Sequence, residues 1–152
     1  MKQRTYIIFA LLALLLEGRL RLWGLGPSLL VIFPYTIGLR QGPMRGIAAG
    51  AGFGFLRDAL GGGLIGPGIV SLSLVGYLVS YLRGGLFFWT PLLGFLGLGV
   101  LTAVDGLTSY ACYSAFGQPH MDLSDAAWLV FWQAVMNSAL GFFLKPERTY
   151  DV

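Results

Sequence analysis

The chain reads as an all-α integral membrane protein of about six transmembrane helices, forming one domain over residues 1–152. Three observations predict this. Of 152 residues, 56% are hydrophobic and 11% charged, about half the charged share of a soluble domain. Apolar runs recur along the whole length between short glycine- and proline-marked breaks, and the length suits about six crossings of roughly 20 residues each. The ten basic residues stand singly or in pairs, which suits membrane topology and excludes the continuous basic stripe of a nucleic-acid binder.

The first element, Tyr6 to Trp23, follows the basic start Met1-Lys2-Gln3-Arg4. It has the basic and apolar regions of a signal peptide. Glu17-Gly18-Arg19-Leu20-Arg21 offers no small-x-small cleavage site, so a retained helix with snorkelling charges is expected. The second, Pro27 to Leu39, is short for a crossing of about 30 Å at 1.5 Å per residue, and Pro34 is expected to break or bend it. The third, Gly46 to Leu60, is rich in glycine and ends on Arg57-Asp58. The fourth, Pro67 to Leu82, is uncharged. The fifth, Gly85 to Val104, already supplies about 20 residues, which favours its ending before Asp105. The sixth is Ala126 to Leu144.

Orientation follows from the bias of Lys and Arg toward cytoplasmic loops. With Lys2 and Arg4 inside, alternate crossings place Arg40, Arg45, Arg83, Lys145 and Arg148 on the same side, so seven of ten basic residues agree on two cytoplasmic termini. Arg19 and Arg21 dissent. Trp23, Tyr77, Tyr81, Trp89 and Trp128 fall near expected span ends, where amphipathic rings suit the headgroup level.

Candidate site residues come from the polar groups and small residues within these runs. Gly46, Gly50 and Gly54 recur every fourth position and line one helix face, where a second helix backbone can approach closely. An intramolecular groove is the ordinary use of such a face; an interface with another protein is the alternative. Gly62 and Gly66 repeat the spacing. Arg57 and Asp58 point about 100° apart on a helix and are not natural partners of each other. Two readings stand for them. In one they end the third helix, Asp58 accepting from N–H groups of the Gly61-Gly62-Gly63 turn and Arg57 reaching headgroups. In the other they serve a partner or ligand site, the default for ionisable residues inside a membrane. Asp105 is a boundary residue if the fifth helix ends near Val104 and a buried one if it runs to Ala115. Gln133, Asn137 and Gly141 share a stripe of the last helix and read as interhelical glue worth about 1 kcal/mol per hydrogen bond.

Little else points to chemistry. Cys112 is the only cysteine and His120 the only histidine, so neither a disulfide nor a Cys-based metal framework is available within the chain. His120, with Asp122 and Asp125 nearby, reads as a solvated loop residue. No GxSxG, HExxH or phosphate-binding glycine loop is present, and the chain is expected to be neither an enzyme nor a cofactor protein.

The stretch GFGFLRDALGGGLIGPGIVSLSLVGYLVSYL, beginning at Gly52, is similar to the hallmark region of the rod-shape-determining MreD family. There a glycine-rich helix ends in a G-x-L-x-D-like step, followed by a small-residue turn and a helix ending in a YLV-like pattern. The correspondence falls on Gly52, Gly54, Phe55, Leu56 and Asp58, then Gly62, Leu64 and Gly66, then Leu72, Leu74, Tyr77, Leu78 and Val79. Arg57 departs from it, standing where relatives carry an apolar residue. The resemblance implies a bacterial cytoplasmic-membrane protein that scaffolds or regulates lateral peptidoglycan synthesis and cell shape. Its implied partners are the bitopic protein MreC, with MreB, a SEDS glycosyltransferase, a class B penicillin-binding transpeptidase and membrane lipid. It also implies the six-helix fold of the S-components of energy-coupling-factor transporters, and a vitamin-binding S-component is the alternative reading.

Overall fold

The computed structural model describes residues 28–62, 64–83, 91–116 and 122–142, and every regular element among them is helical. The expected first span, the loop carrying His120 and the chain from residue 143 lie outside the described residues.

A short 3-10 turn, Leu29–Val31, leads into α1, Ile32–Gln41. Pro34 does not break this helix. It occupies the first turn of α1, where its missing N–H would have had no intrahelical acceptor. Gly42, at φ 93°, is the whole link to α2, Pro43–Gly61. No L-residue with a Cβ adopts that backbone readily, and it lets α1 fold back on α2 with Phe33 stacked on Phe53, ring centroids 4.8 Å apart. Pro43 opens α2 three residues before the expected start, again using a position that needs no N–H.

Gly62, in the left-handed conformation at φ 65°, ends α2. The chain returns as α3, Pro67–Arg83, in agreement with the span expected from its apolar run. The α2/α3 hairpin is closed by backbone contact: a Cβ at Gly46, Gly50 or Gly54 would overlap the carbonyls of Gly76, Leu72 or Gly68, respectively. The glycine stripe is therefore filled by α3. Gly62 and Gly66 do not extend it. Both have positive φ, at 65° and 145°, and a Cβ on either would meet open space, so they shape the turn.

The next helix, α4, runs Pro91–Ala115 and corrects the expected boundary at Val104. Neither glycine nor proline intervenes after Gly106, and all thirteen residues from Ala103 to Ala115 continue the helix without a break. Asp105 is consequently mid-helix. The last helix, α5, Leu123–Gly141, packs antiparallel on α4. Glycines again set the approach: Gly141 meets the backbone of Gly94 and Phe95, Gly99 meets Ser138, and Gly106 meets Val130.

Two glycine-packed hairpins, α2/α3 and α4/α5, thus meet through α3 and α4, with α1 lodged against α2 and α3. The apolar core is their junction: Leu30, Val31, Tyr35 and Leu39 on the first segment, Leu72, Val75 and Val79 on α3, Leu98 and Leu101 on α4. Among the described residues one helix, Leu92–Ala115, is long and apolar enough to cross a membrane by length and composition, and Pro67–Tyr81 is apolar but shorter. Three charges, Arg45, Arg57 and Asp58, lower the apolarity of α2, and Asp125, Gln133 and Asn137 that of α5.

Candidate functional site

The polar side chains inside the bundle form a chain of contacts that begins between α2 and α4 and runs on to the 3-10 segment and α5. Arg57 lies about one helical turn before the end of α2. Its Nη1 donates to both oxygens of Asp105, at 2.8 Å to Oδ2 and 3.1 Å to Oδ1, while Nη2 donates to Ser109 Oγ at 2.8 Å. The guanidinium fork is therefore shared between a carboxylate and a hydroxyl on α4. Both charged side chains are withdrawn from the surface, 14% exposed for Arg57 and 3% for Asp105. A charge that far from solvent is tolerated because it is paired; removing one partner of such a pair costs about 3–5 kcal/mol.

The network continues inward. Ser28 Oγ lies 3.5 Å from Asp105 Oδ2, a long bond, and the Ser28 carbonyl accepts from Asn137 Nδ2 at 2.9 Å. The other proton of that amide goes to Thr102 Oγ1 at 3.0 Å, and Thr102 in turn donates to the Leu98 carbonyl at 2.8 Å. Ser28 caps the 3-10 turn, its carbonyl accepting from the Val31 N–H at 3.3 Å. Asn137 gives the same buried carbonyl a second donor. Two buried atoms, Asn137 Oδ1 and Tyr35 Oη, have no hydrogen-bond partner among the described residues.

Asp58 belongs to a separate centre. Its carboxylate accepts from the N–H groups of Gly66 at 2.8 Å, Gly68 at 3.0 Å and Ile69 at 3.4 Å. These are the unsatisfied donors at the start of α3, and a carboxylate there also meets the positive end of the helix dipole. The cap serves the start of α3, whereas the expected donors were those of the Gly61-Gly62-Gly63 turn, of which Gly63 lies outside the described residues.

The candidates thus separate by location. Arg57, Asp105 and Asn137 belong to this chain of contacts; Gly46, Gly50, Gly54 and Asp58 form the inward stripe of α2; Gly62 and Gly66 shape the turn. Gln133 is half-buried one turn before Asn137 and makes no hydrogen bond among the described residues. Ser28, Thr102 and Ser109 were not anticipated. Thr102, Asp105 and Ser109 recur at i, i+3 and i+7, a polar stripe that becomes visible once α4 continues past Val104.

Chemically these contacts tie helices together. Ser109 accepts from the Arg57 guanidinium, and the carboxylate one turn away, Asp105, is engaged by the same cation. No group of three or more His, Cys, Asp or Glu that could hold a metal occurs among the described residues. No protein-family model, curated protein or solved structure matches the chain.

Proposed function

We propose that the chain is a multi-pass protein of the bacterial cytoplasmic membrane, with about six crossings and both termini cytoplasmic. We infer a non-catalytic scaffold of the MreD type, regulating lateral peptidoglycan synthesis and cell shape by binding membrane partners. One observation carries the reading: the residues of the MreD-like segment divide by side. Gly54, Asp58, Leu72 and Val79 point inward and build the α2/α3 hairpin, whereas Gly52, Phe55, Leu56 and Tyr77 are exposed. The inward set explains the motif as architecture. The outward set has no use within the described bundle and suits contact with another membrane protein.

The membrane setting is supported by the inverted partition of polarity. Asp58, Asp105, Asn137, Thr102 and Ser109 are buried, while Leu60, Leu92, Val100, Phe116, Trp128 and Phe131 are more than half exposed. Water favours the reverse arrangement; hydrocarbon favours this one. The Tyr77 and Tyr81 hydroxyls, both on the exposed side of α3, bond each other at 2.6 Å.

Co-purification tests the proposal. MreC is expected to accompany the chain from bacterial membranes, and Gly52→Leu is expected to reduce its recovery without loss of folded protein, since a Cβ at Gly52 meets nothing within 4 Å. Native mass spectrometry supplies the opposing result: a retained vitamin with no MreC replaces the scaffold by a substrate-binding S-component.

A further inference from the structure

The described chain begins at a fixed point. Ser28 is buried, its carbonyl accepts from Asn137 Nδ2 on α5 at 2.9 Å, and its Oγ lies 3.5 Å from Asp105 on α4. From there the 3-10 turn and α1 carry the chain toward Gly42, so whatever precedes Ser28 arrives beside Asn137. The preceding residues include the expected first span, Tyr6 to Trp23, and Gly24-Leu25-Gly26-Pro27 alone separate Trp23 from Ser28. A stretch that short reaches about 17 Å when fully extended. Helices joined by so short a link are antiparallel neighbours, so the span rises from the Gly42 end and finishes within that reach of Ser28.

One flank of α5 lies on that side. Around the helix, Ser138 and Gly141 stand to one side of Asn137 and meet Gly99 and Gly94 of α4. To the other side, within about 80° of Asn137, stand Leu129, Gln133 and Leu140, all half-buried, with Leu140 packed against the core to which α1 contributes. Gln133 makes no hydrogen bond among the described residues, and Asn137 Oδ1, buried one turn away, has no partner among them either. An amide at the edge of a helix bundle in hydrocarbon needs a polar partner on a neighbouring helix.

The chain before Ser28 contains one. Ile7 to Leu16 is wholly apolar and Glu17 follows. On a helix Glu17 shares a face with Ala10 and Ala13, the two alanines of the span, and small residues mark close helix contacts in membranes. Depth agrees as well. Trp23 stands at most about 17 Å beyond Ser28 toward the start of α5, and Glu17, six residues earlier, lies about 9 Å back along the helix. Glu17 is then no more than about 8 Å beyond Ser28, and Gln133 is about 6 Å beyond Asn137 in the same direction.

We propose that the segment Tyr6 to Trp23 docks antiparallel along the flank of α5 formed by Leu129, Gln133 and Leu140, with Ala10, Ala13 and Glu17 toward it and the Glu17 carboxyl bonded to the Gln133 amide. The occupant is this chain's own N-terminal segment because Ser28 tethers it there; a lipid or a second copy has no such tether. The opposite side of α5, where Trp128, Phe131 and Val135 are exposed, stays available to lipid or to another membrane protein. The docking rests on the multi-pass reading, since a span crossing the bilayer is what runs alongside α5.

Disulfide formation tests the docking in the full-length chain in native membranes, with Cys112→Ala removing the one native thiol. Two cysteine pairs follow from the register: Glu17→Cys with Gln133→Cys, and Ala10→Cys with Leu140→Cys, two turns further toward the Gly42 end. A disulfide needs Cβ atoms about 3.5–4.5 Å apart. Under mild oxidation each pair is therefore expected to form a bridge within one chain about tenfold or more faster than Ala10→Cys with Val135→Cys, on the opposite side of α5. Peptide mass spectrometry identifies the bridges, and a non-reducing gel separates them from dimers. Should the first pair not be recovered folded, the second replaces no polar group and decides alone. Bridges between chains would assign the flank to a second copy, and a rate no higher than that of the control would leave it to lipid or another protein; either result overturns the docking. An alkaline carbonate wash checks the membrane reading separately. Release of the unmodified chain from the membrane fraction sinks that reading whatever bridges form, whereas retention without bridges sinks the docking alone.

Discussion

Gly50→Val and Gly54→Val are each expected to prevent recovery of a folded, monodisperse chain, whereas Gly52→Ala is expected to leave it intact. All three positions lie on α2 within five residues of one another, and the difference is what each backbone faces. A Cβ at Gly50 would overlap the carbonyl of Leu72, and one at Gly54 the carbonyl of Gly68 and Cα of Ile69. Those are backbone atoms of α3, which cannot rotate aside as a side chain can. The helices must separate along their length, and the contacts from Gly46–Gly76 to Gly54–Gly68 loosen together. Overpacking a core costs about 1–3 kcal/mol where side chains can adjust, so about 3 kcal/mol or more is expected here, a large part of a total stability of about 5–15 kcal/mol. Gly52 faces open space, and alanine there gains up to about 1 kcal/mol of helix propensity. Thermal unfolding followed by size-exclusion chromatography in detergent distinguishes the cases. Equal behaviour of Gly50→Val and Gly52→Ala would mean that close backbone approach does not hold the hairpin.

This outcome also decides which side of α2 is open to a partner. The fourth-residue repeat of glycine invites docking of another helix, and the docked helix is α3 of the same chain. A variant at Gly50 or Gly54 that loses a partner has lost its fold first. The opposite side, with Gly52, Phe55 and Leu56, is where partner binding separates from folding.

The periodic features were legible in the sequence because each depends on local spacing alone. Glycine at 46, 50 and 54 specifies a helix face, Pro67 specifies a first turn, and the apolar run to residue 82 specifies a helix; the structure agrees within one residue for α3. The same spacing extends to Asp58, four residues beyond Gly54, which identifies it as an inward residue before any partner is known. The end of α4 was not legible. Counting residues against bilayer thickness stops the helix at Val104, but a mid-helix aspartate is tolerated where an arginine 48 positions away neutralises it. That pairing is a property of the assembled bundle. Ser28 was hidden for a related reason: its importance lies in a backbone carbonyl, whose side-chain partner is 109 residues away on Asn137. Span counting and tertiary pairing compete wherever a polar residue sits near an expected boundary, and at Asp105 pairing prevailed.

Asp58→Ala is expected to destabilise the chain by about 3 kcal/mol or more and to do so through the start of α3. Asp58 is 5% exposed, and its carboxylate accepts from three successive N–H donors around Pro67, with Gly66 at 2.8 Å and Gly68 at 3.0 Å the shortest. Pro67 has no N–H to contribute, so these three are the orphan donors of the first turn, all met by one side chain. Loss of an ordinary N-cap costs about 0.5–2 kcal/mol; here the acceptor is charged and the Gly68 donor is buried, with Gly66 and Ile69 partly so, which adds the penalty of leaving them unpaired. Asp58→Asn keeps the shape but turns an amide N–H₂ toward N–H groups, and is expected to recover only part of the loss. Asp58→Glu adds a methylene at a site where even a Cβ on Gly68 would strike the carboxylate, so it is expected to fail by crowding, not by charge. Thermal unfolding ranks the four proteins. Hydrogen exchange at residues 66–69 locates the effect, with protection lost there while that of Thr102 to Ser109 is retained. Uniform loss of protection through both hairpins would show instead that Asp58 supports the whole bundle. Unchanged protection at Gly68 would remove the cap from the account of how α2 hands the chain to α3.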